Sequence, residues 1–209
     1  MLITLDELVK LLNSRKIKVS GCLHIGAHLC EEMYIYNSIG ITNKDIIWIE
    51  ANNELVKAAK NKNIINVYNA VITDIDDELI IFNKADDTSS SSILSMLEHK
   101  NVYPNISYIE ECKNKSITID TFIAFYNLNE KMYDFMNIAI QGAELLALKG
   151  AIKFIKNVKI IYCKIHEIEL YKNCASITEL DDFLFTNGFI RVFTITTEKG
   201  WGDAIYIRV

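Results

Sequence analysis

Apolar residues along this chain switch between two periods. Leu5, Leu8, Val9, Leu11 and Leu12 recur at helical spacing with charges between them, which predicts an amphipathic helix capped by Thr4 or Asp6. "KVSGCLHIG" predicts a buried strand ending at a glycine, and "LCEEMYIYNSIG" a helix stopped by Gly40. "DIIWIEA" predicts a second strand, "NNELVKAAKNKN" a polar helix starting near Asn52 or Asn53, and "INVYNAVI" a third strand. "DELIIFNK" reads as a fourth strand, paired locally after the "TDIDD" turn.

The pattern breaks over residues 85–116, a polar, serine-rich stretch that carries the only proline, Pro104. A long irregular segment inside one domain is commonly a lid or binding loop, and its Ile, Leu and Tyr content sets it apart from a linker. Regularity then returns. "ITIDTFIAFYN" predicts a short helix, "YDFMNIAI" a central strand, and "GAELLALKGAIKFIKN" a helix or a bent pair of helices. "VKIIYCKIH" reads as another buried strand, "SITELDDFLFTNG" as a helix stopped by Gly188, and "FIRVFTITTEKGWGDAIYIRV" as an antiparallel hairpin. Strands alternating with helices imply an α/β fold, with a mostly parallel central sheet, helices on both faces and an antiparallel C-terminal strand pair. No repeat or boundary divides the chain, so residues 1–209 are expected to form a single domain.

Composition narrows the function classes. Half of the residues are hydrophobic, which suits a regular core. A net charge of -5 and a pI of about 5.4 argue against a phosphate-binding face and hence against nucleic acid as partner. No apolar run approaches the roughly 20 residues that span a bilayer, and the N-terminus lacks the features of a signal peptide. The five cysteines form no C-x-x-C pair, which argues against a disulfide framework or zinc knuckle and for a reducing, cytoplasmic setting.

Candidate chemistry gathers at predicted strand ends, where open α/β sheets bind ligands. Gly26 sits at the first strand-to-helix turn, where a glycine lets a ligand approach the backbone. Glu50 ends the second strand, roughly 20 residues or slightly more further on, where an acid can bind ribose hydroxyls. Together they favour a nucleoside-containing cofactor over a plain tight turn and a helix-terminal acid. His24 and His28 straddle the turn without an obvious third ligand, so no metal site is expected. His166, at the end of "VKIIYCKIH", is either a solvated loop residue or part of the site.

At this point three blocks carry a family resemblance. "CLHIGAHLCEE", "IIWIEANNELV" and above all "MNIAIQGAELLALKGA" resemble FkbM-type methyltransferases, a Rossmann-like branch of the S-adenosylmethionine-dependent enzymes; "SITIDTF" adds weaker support. The resemblance implies S-adenosyl-L-methionine as cofactor, held by His24, Gly26, Ala27, Glu50, Ala51 and Ala70, and a hydroxyl of a sugar or small metabolite as methyl acceptor. It also exposes departures. Ala139 stands where the family carries an aspartate, His24 replaces the usual first-strand acid, and Lys164 sits where an acid is common. With Ala139 unable to act as a base, His166 and Glu144 become the candidate catalytic groups. Glu144 has a second reading as a helix cap, and the whole chain has one as a non-catalytic descendant that keeps the fold.

Overall fold

The computed structural model describes all 209 residues. In chain order the elements are α1 (Leu5–Ser14), β1 (Cys22–Ile25), α2 (Met33–Ser38), β2 (Ile46–Glu50), α3 (Asn53–Asn61) and β3 (Val67–Asn69). Then come β4 (Val71–Ile72), β5 (Leu79–Ala85), α4 (His99–Val102), β6 (Tyr108–Ile117) and α5 (Ile119–Phe125). The chain closes with β7 (Phe135–Ile138), α6 (Glu144–Lys149), β8 (Ile160–His166), α7 (Ile177–Thr186), β9 (Phe189–Thr196) and β10 (Trp201–Arg208).

Seven strands build the main sheet in the order β3-β2-β1-β7-β8-β10-β9. The first five of that order run parallel, while β10 pairs antiparallel with both β8 and β9. The sheet grows outward from β1 toward β3 and, after β7, in the other direction. The order therefore reverses between β1 and β7, which opens a crevice at their carboxyl ends.

Alternation along the strands splits the core into two layers. Leu23, Ile25, Ile47, Ile49, Met136, Ile138, Cys163 and Ile165 face α5, α6 and α7. Cys22, Ile46, Trp48, Phe135, Ile160 and Tyr162 face α1, α2 and α3. Helix α1 starts in a capping box, with the Thr4 side chain accepting from Glu7 N–H and the Glu7 carboxylate accepting from Thr4 N–H. Of the two expected caps, Thr4 is the one used.

Two expectations about the middle of the chain need correction. "INVYNAVI" is not one strand: β3 joins the main sheet, whereas β4 joins a separate three-stranded sheet of order β4-β6-β5. The break at residues 85–116 is also shorter than expected. Residues 108–117 form β6, which pairs antiparallel with β5 from Leu79↔Lys115 to Ala85↔Tyr108. β5 therefore finds its partner beyond the serine-rich segment and not across the preceding turn. Composition hid β6, since "YIEECKNKSI" is largely exposed and carries little apolar alternation.

On the α1–α3 face lies a buried polar chain. The Tyr36 hydroxyl accepts from Asn137 Nδ2 at 2.7 Å and meets His24 Nδ1 at 3.0 Å. Burial lowers the His24 pKa, so the neutral ring accepts the hydroxyl proton. Tyr36→Phe strips both groups of their partner inside the core. An unsatisfied buried group costs about 1–3 kcal/mol, so the variant should lose about 2–4 kcal/mol in urea unfolding. A loss within error of zero would show that water replaces the hydroxyl.

Candidate functional site

A partly open cavity, about 580 Å³ with the solvent space at its mouth included, lies at the carboxyl ends of β1, β2 and β7. Gly26 and His28 from the β1 turn, Glu50 and Ala51 from the end of β2, and Ala139 and Gln141 after β7 line it. Ala70, Ile72 and Phe82 form an apolar wall, and Thr88, Ser89, Ser91 and Ser92 of the serine-rich segment face them.

The backbone explains why these residues meet. Gly26 has φ +84°, and a Cβ there would collide with the carbonyl oxygen of Ala139. The N–H groups of Gly26 and Ala27 both donate to Ile49 O, at 2.9 and 3.0 Å. Glu50 completes the junction: its Oε2 accepts from His28 N–H and its Oε1 from Asn52 N–H, each at 2.8 Å. Burial raises the Glu50 pKa, and those two donors work against that shift.

The turn after β7 is built around Glu144. Its Oε1 accepts from Ile140 N–H at 3.0 Å and its Oε2 from Gly142 N–H at 2.9 Å. Gln141 and Gly142 both lie at positive φ, 54° and 99°, and a Cβ on Gly142 would press into Cys174. Only glycine fits that place. Burial pushes the Glu144 pKa up to about 7, against the pull of Lys164 and of the N–H groups it accepts from. Ser92 Oγ donates to Gln141 O at 2.8 Å, which ties this turn to the serine-rich segment. His28 makes a second tie: Nε2 meets Thr88 Oγ1 at 2.8 Å and Nδ1 meets Glu31 Oε1 at 2.6 Å.

The sequence from residue 24 to residue 191, which contains both turns, matches the family described as "Methyltransferase FkbM domain". The chain belongs to the FkbM methyltransferase family. Its α/β sheet, with the β1–β7 reversal and antiparallel C-terminal strands, is a Rossmann-like methyltransferase fold. Among solved structures it is similar to a magnesium protoporphyrin IX methyltransferase from Synechocystis with bound SAM, at 10% identity and a TM-score of 0.48, covering 98% of this chain and 78% of that one. A SAM-dependent methyltransferase from Aquifex aeolicus is similar at 15% identity and a TM-score of 0.44, covering 96% and 89%. A third, from Bacteroides fragilis in complex with S-adenosyl-L-homocysteine, is similar at 10% identity and a TM-score of 0.44, covering 94% and 76%. No curated protein matches the chain.

Of the residues singled out in sequence, Gly26, Glu50, Ala51 and Ala70 line the cavity of this FkbM chain. His24 and Ala27 do not. His24 points to the α1–α3 face, against Tyr36 and the Trp48 ring, because side chains alternate along β1. Ala27 is fully buried in the same layer. The missing side chain of Gly26 makes room for the Ala139 carbonyl. The proposed base His166 is 2% exposed and lines none of the cavities described here. Both of its ring nitrogens lack a hydrogen-bond partner, and Glu144 Oε2 stands 4.0 Å away. Glu144 is likewise 2% exposed, with both oxygens turned to its own loop, and so acts as the clamp of the Gln-Gly-Ala-Glu turn. His28, Phe82 and the Thr88–Ser92 residues also line the cavity. In sequence only the break in periodicity pointed to the serines, and nothing separated Phe82 from other strand residues.

The His166 environment has a measurable consequence. Burial, then the charges of Lys164 and His99, lower its pKa from 6.5 to about 3. Folding therefore favours the neutral ring, and that contribution is present above pH 6.5 and is lost as pH falls toward 3. His166→Phe removes the titration. The unfolding free energy of the wild type relative to this variant should fall below pH 6.5 at up to about 1.4 kcal/mol per pH unit. Parallel stability curves between pH 7 and pH 4 would show that the ring protonates freely in the fold.

Proposed function

We propose that this chain is an S-adenosylmethionine-dependent methyltransferase acting on a hydroxyl of a sugar or another small metabolite. The cavity at the β1–β7 reversal, lined by Glu50 and by the apolar Ala70, Ile72 and Phe82, is the observation that carries this reading. The residues suit the cofactor. Each Glu50 oxygen accepts one backbone N–H and keeps lone-pair capacity for a ribose hydroxyl. Ala70, Ile72 and Phe82 offer apolar surface of the kind a flat adenine ring needs. When bound, the cofactor supplies an electrophilic methyl group on a sulfonium. The work left to the protein is to orient the acceptor, exclude water and take a proton.

The acceptor class rests on family membership and on the acidic charge balance, which disfavours a nucleic-acid substrate. No helix is long and apolar enough to cross a membrane. The five free cysteines support a reducing compartment such as the cytoplasm. A second reading, a binding protein that has lost catalysis, is favoured by Ala139: it lines the cavity where the family carries an aspartate and offers no side-chain base.

Calorimetry with S-adenosylhomocysteine separates cofactor binding from its loss. The wild type should bind, and no heat at millimolar ligand would sink the methyl-transfer reading. Glu50→Ala should weaken binding by about 1.5–3 kcal/mol, the scale of a hydrogen bond to a charged group. Because Glu50 also clamps His28 and Asn52, circular dichroism must show the variant folded. An unchanged dissociation constant in a folded variant would remove Glu50 from the site.

A further inference from the structure

We propose that Lys164 is the group that takes the proton from the acceptor hydroxyl, in a second cleft joined to the cofactor cavity. This rests on the methyl-transfer reading above and names the base that Ala139 leaves missing. The cleft is open, about 780 Å³, and shares Ser89 and Gln141 with the first cavity. Lys164, Trp201, Tyr103, Tyr171, His99 and Asp87 are among its lining residues.

Sheet register puts Lys164 beside the blank position. β7 and β8 pair through Ile138↔Cys163, so Ala139, the first residue past β7, and Lys164 of β8 both follow the last paired row. Neighbouring strands lie about 4.8 Å apart. The Lys164 ammonium forms no ion pair and no side-chain hydrogen bond; its Nζ rests over the Trp201 ring at 3.9 Å. Asp203 faces Lys164 across β10, but its carboxylate accepts from the Tyr162 hydroxyl and from Leu2 N–H. Glu144 spends both oxygens on its own turn, and Asp87 accepts from Ser89 and Ser90. Burial lowers the Lys164 pKa, while Asp203, Glu144 and Asp87 pull it back without restoring it. The lowered pKa makes the neutral amine easier to reach than at an exposed lysine, and in that form it can accept a proton; the Trp201 ring face works the other way, since it favours the ammonium.

The step balances. The acceptor oxygen forms the O–CH3 bond as the C–S bond of the sulfonium breaks, and that bond's electron pair stays on sulfur. The hydroxyl proton passes to Lys164 Nζ, which becomes an ammonium and later returns the proton to solvent through the open cleft. Tyr103, Tyr171 and Trp201 supply flat apolar surface of the kind a sugar ring packs against, with Ser89, Ser90 and Gln141 as hydrogen-bonding neighbours. His99, whose Nδ1 lacks a partner in the same wall, is the rival base; it lies on α4 and not in the strand row of Ala139.

Trace acetylation of the full chain across pH, read peptide by peptide, tests the assignment without knowledge of the acceptor. Lys164 should titrate below the exposed lysines of the same chain. Titration with the exposed lysines would overturn the proposal. Lys164→Gln and Lys164→Met should bind S-adenosylhomocysteine within about twofold of wild type, since the lysine lies outside the cofactor cavity. With radiolabelled S-adenosylmethionine and a panel of methyl glycosides as probe, their turnover should fall about 10²–10⁴-fold and the rising limb of the pH–rate profile should vanish. Loss of that limb in His99→Gln, with Lys164→Gln retaining it, would transfer the role to His99 and overturn the proposal. If no glycoside is methylated, the titration alone decides. Ordinary titration with cofactor binding intact sinks only the lysine; absent cofactor binding in wild type sinks the methyl-transfer reading itself.

Discussion

The Gly26 backbone lies against the carbonyl of Ala139, and the ends of β1 and β7 meet only because no Cβ stands between them. The rest of the site depends on that approach. It sets the narrow end of the crevice at the point where strand order reverses. From there the Gly26 and Ala27 N–H groups reach Ile49 O, and His28 N–H reaches Glu50. Three strand ends are therefore locked by main-chain donors before any ligand is considered. The Glu50 carboxylate closes the β1–β2 junction, and the same residue lines the cavity.

The same constraint separates what the sequence disclosed from what it concealed. Gly26 and Glu50 were legible because the strand-end rule acts on the backbone: a glycine turn and an acid some 20 residues on need little tertiary knowledge. The Gly142-Ala143-Glu144 block was legible as a family mark, but its physics was not. Gly142 is required by a left-handed φ and by Cys174, and Glu144 by two loop N–H groups. Both are reasons of folding, so the block's specificity did not imply that its carboxylate meets a substrate. His24 and His166 were misread for a different reason. A strand-end position does not say which face a side chain takes or what covers it. His24 turned into the Tyr36–Asn137 chain, and His166 was sealed near Tyr171.

Long-range pairing was the other hidden element. β6 carries alternating charges and an exposed surface, so period-2 hydrophobicity could not reveal it. Its partner β5 lies across the serine-rich segment, and that pairing draws Thr88–Ser92 back over the cavity. The hydroxyls that line the site are thus placed by a strand pair more than by any property of their own stretch. Asn83 and Ser92 make this concrete: they exchange backbone hydrogen bonds at 2.9 and 3.1 Å, which extends the sheet edge to the cavity wall.

Ala139 and Lys164 are best understood together. Each follows the last paired row of β7 and β8, Ala139 just past the end of β7 and Lys164 within β8. A carboxylate at 139 would stand near the Lys164 side chain, and opposite charges at such a distance hold each other ionised. Such a lysine would stay an ammonium and could not accept a proton. With alanine at 139 the lysine keeps no ion-pair partner, rests its Nζ on the Trp201 ring, and has its pKa lowered by burial. If Lys164 is the base proposed above, Ala139 and Lys164 act together: alanine leaves no charge at 139 to hold the lysine as an ammonium.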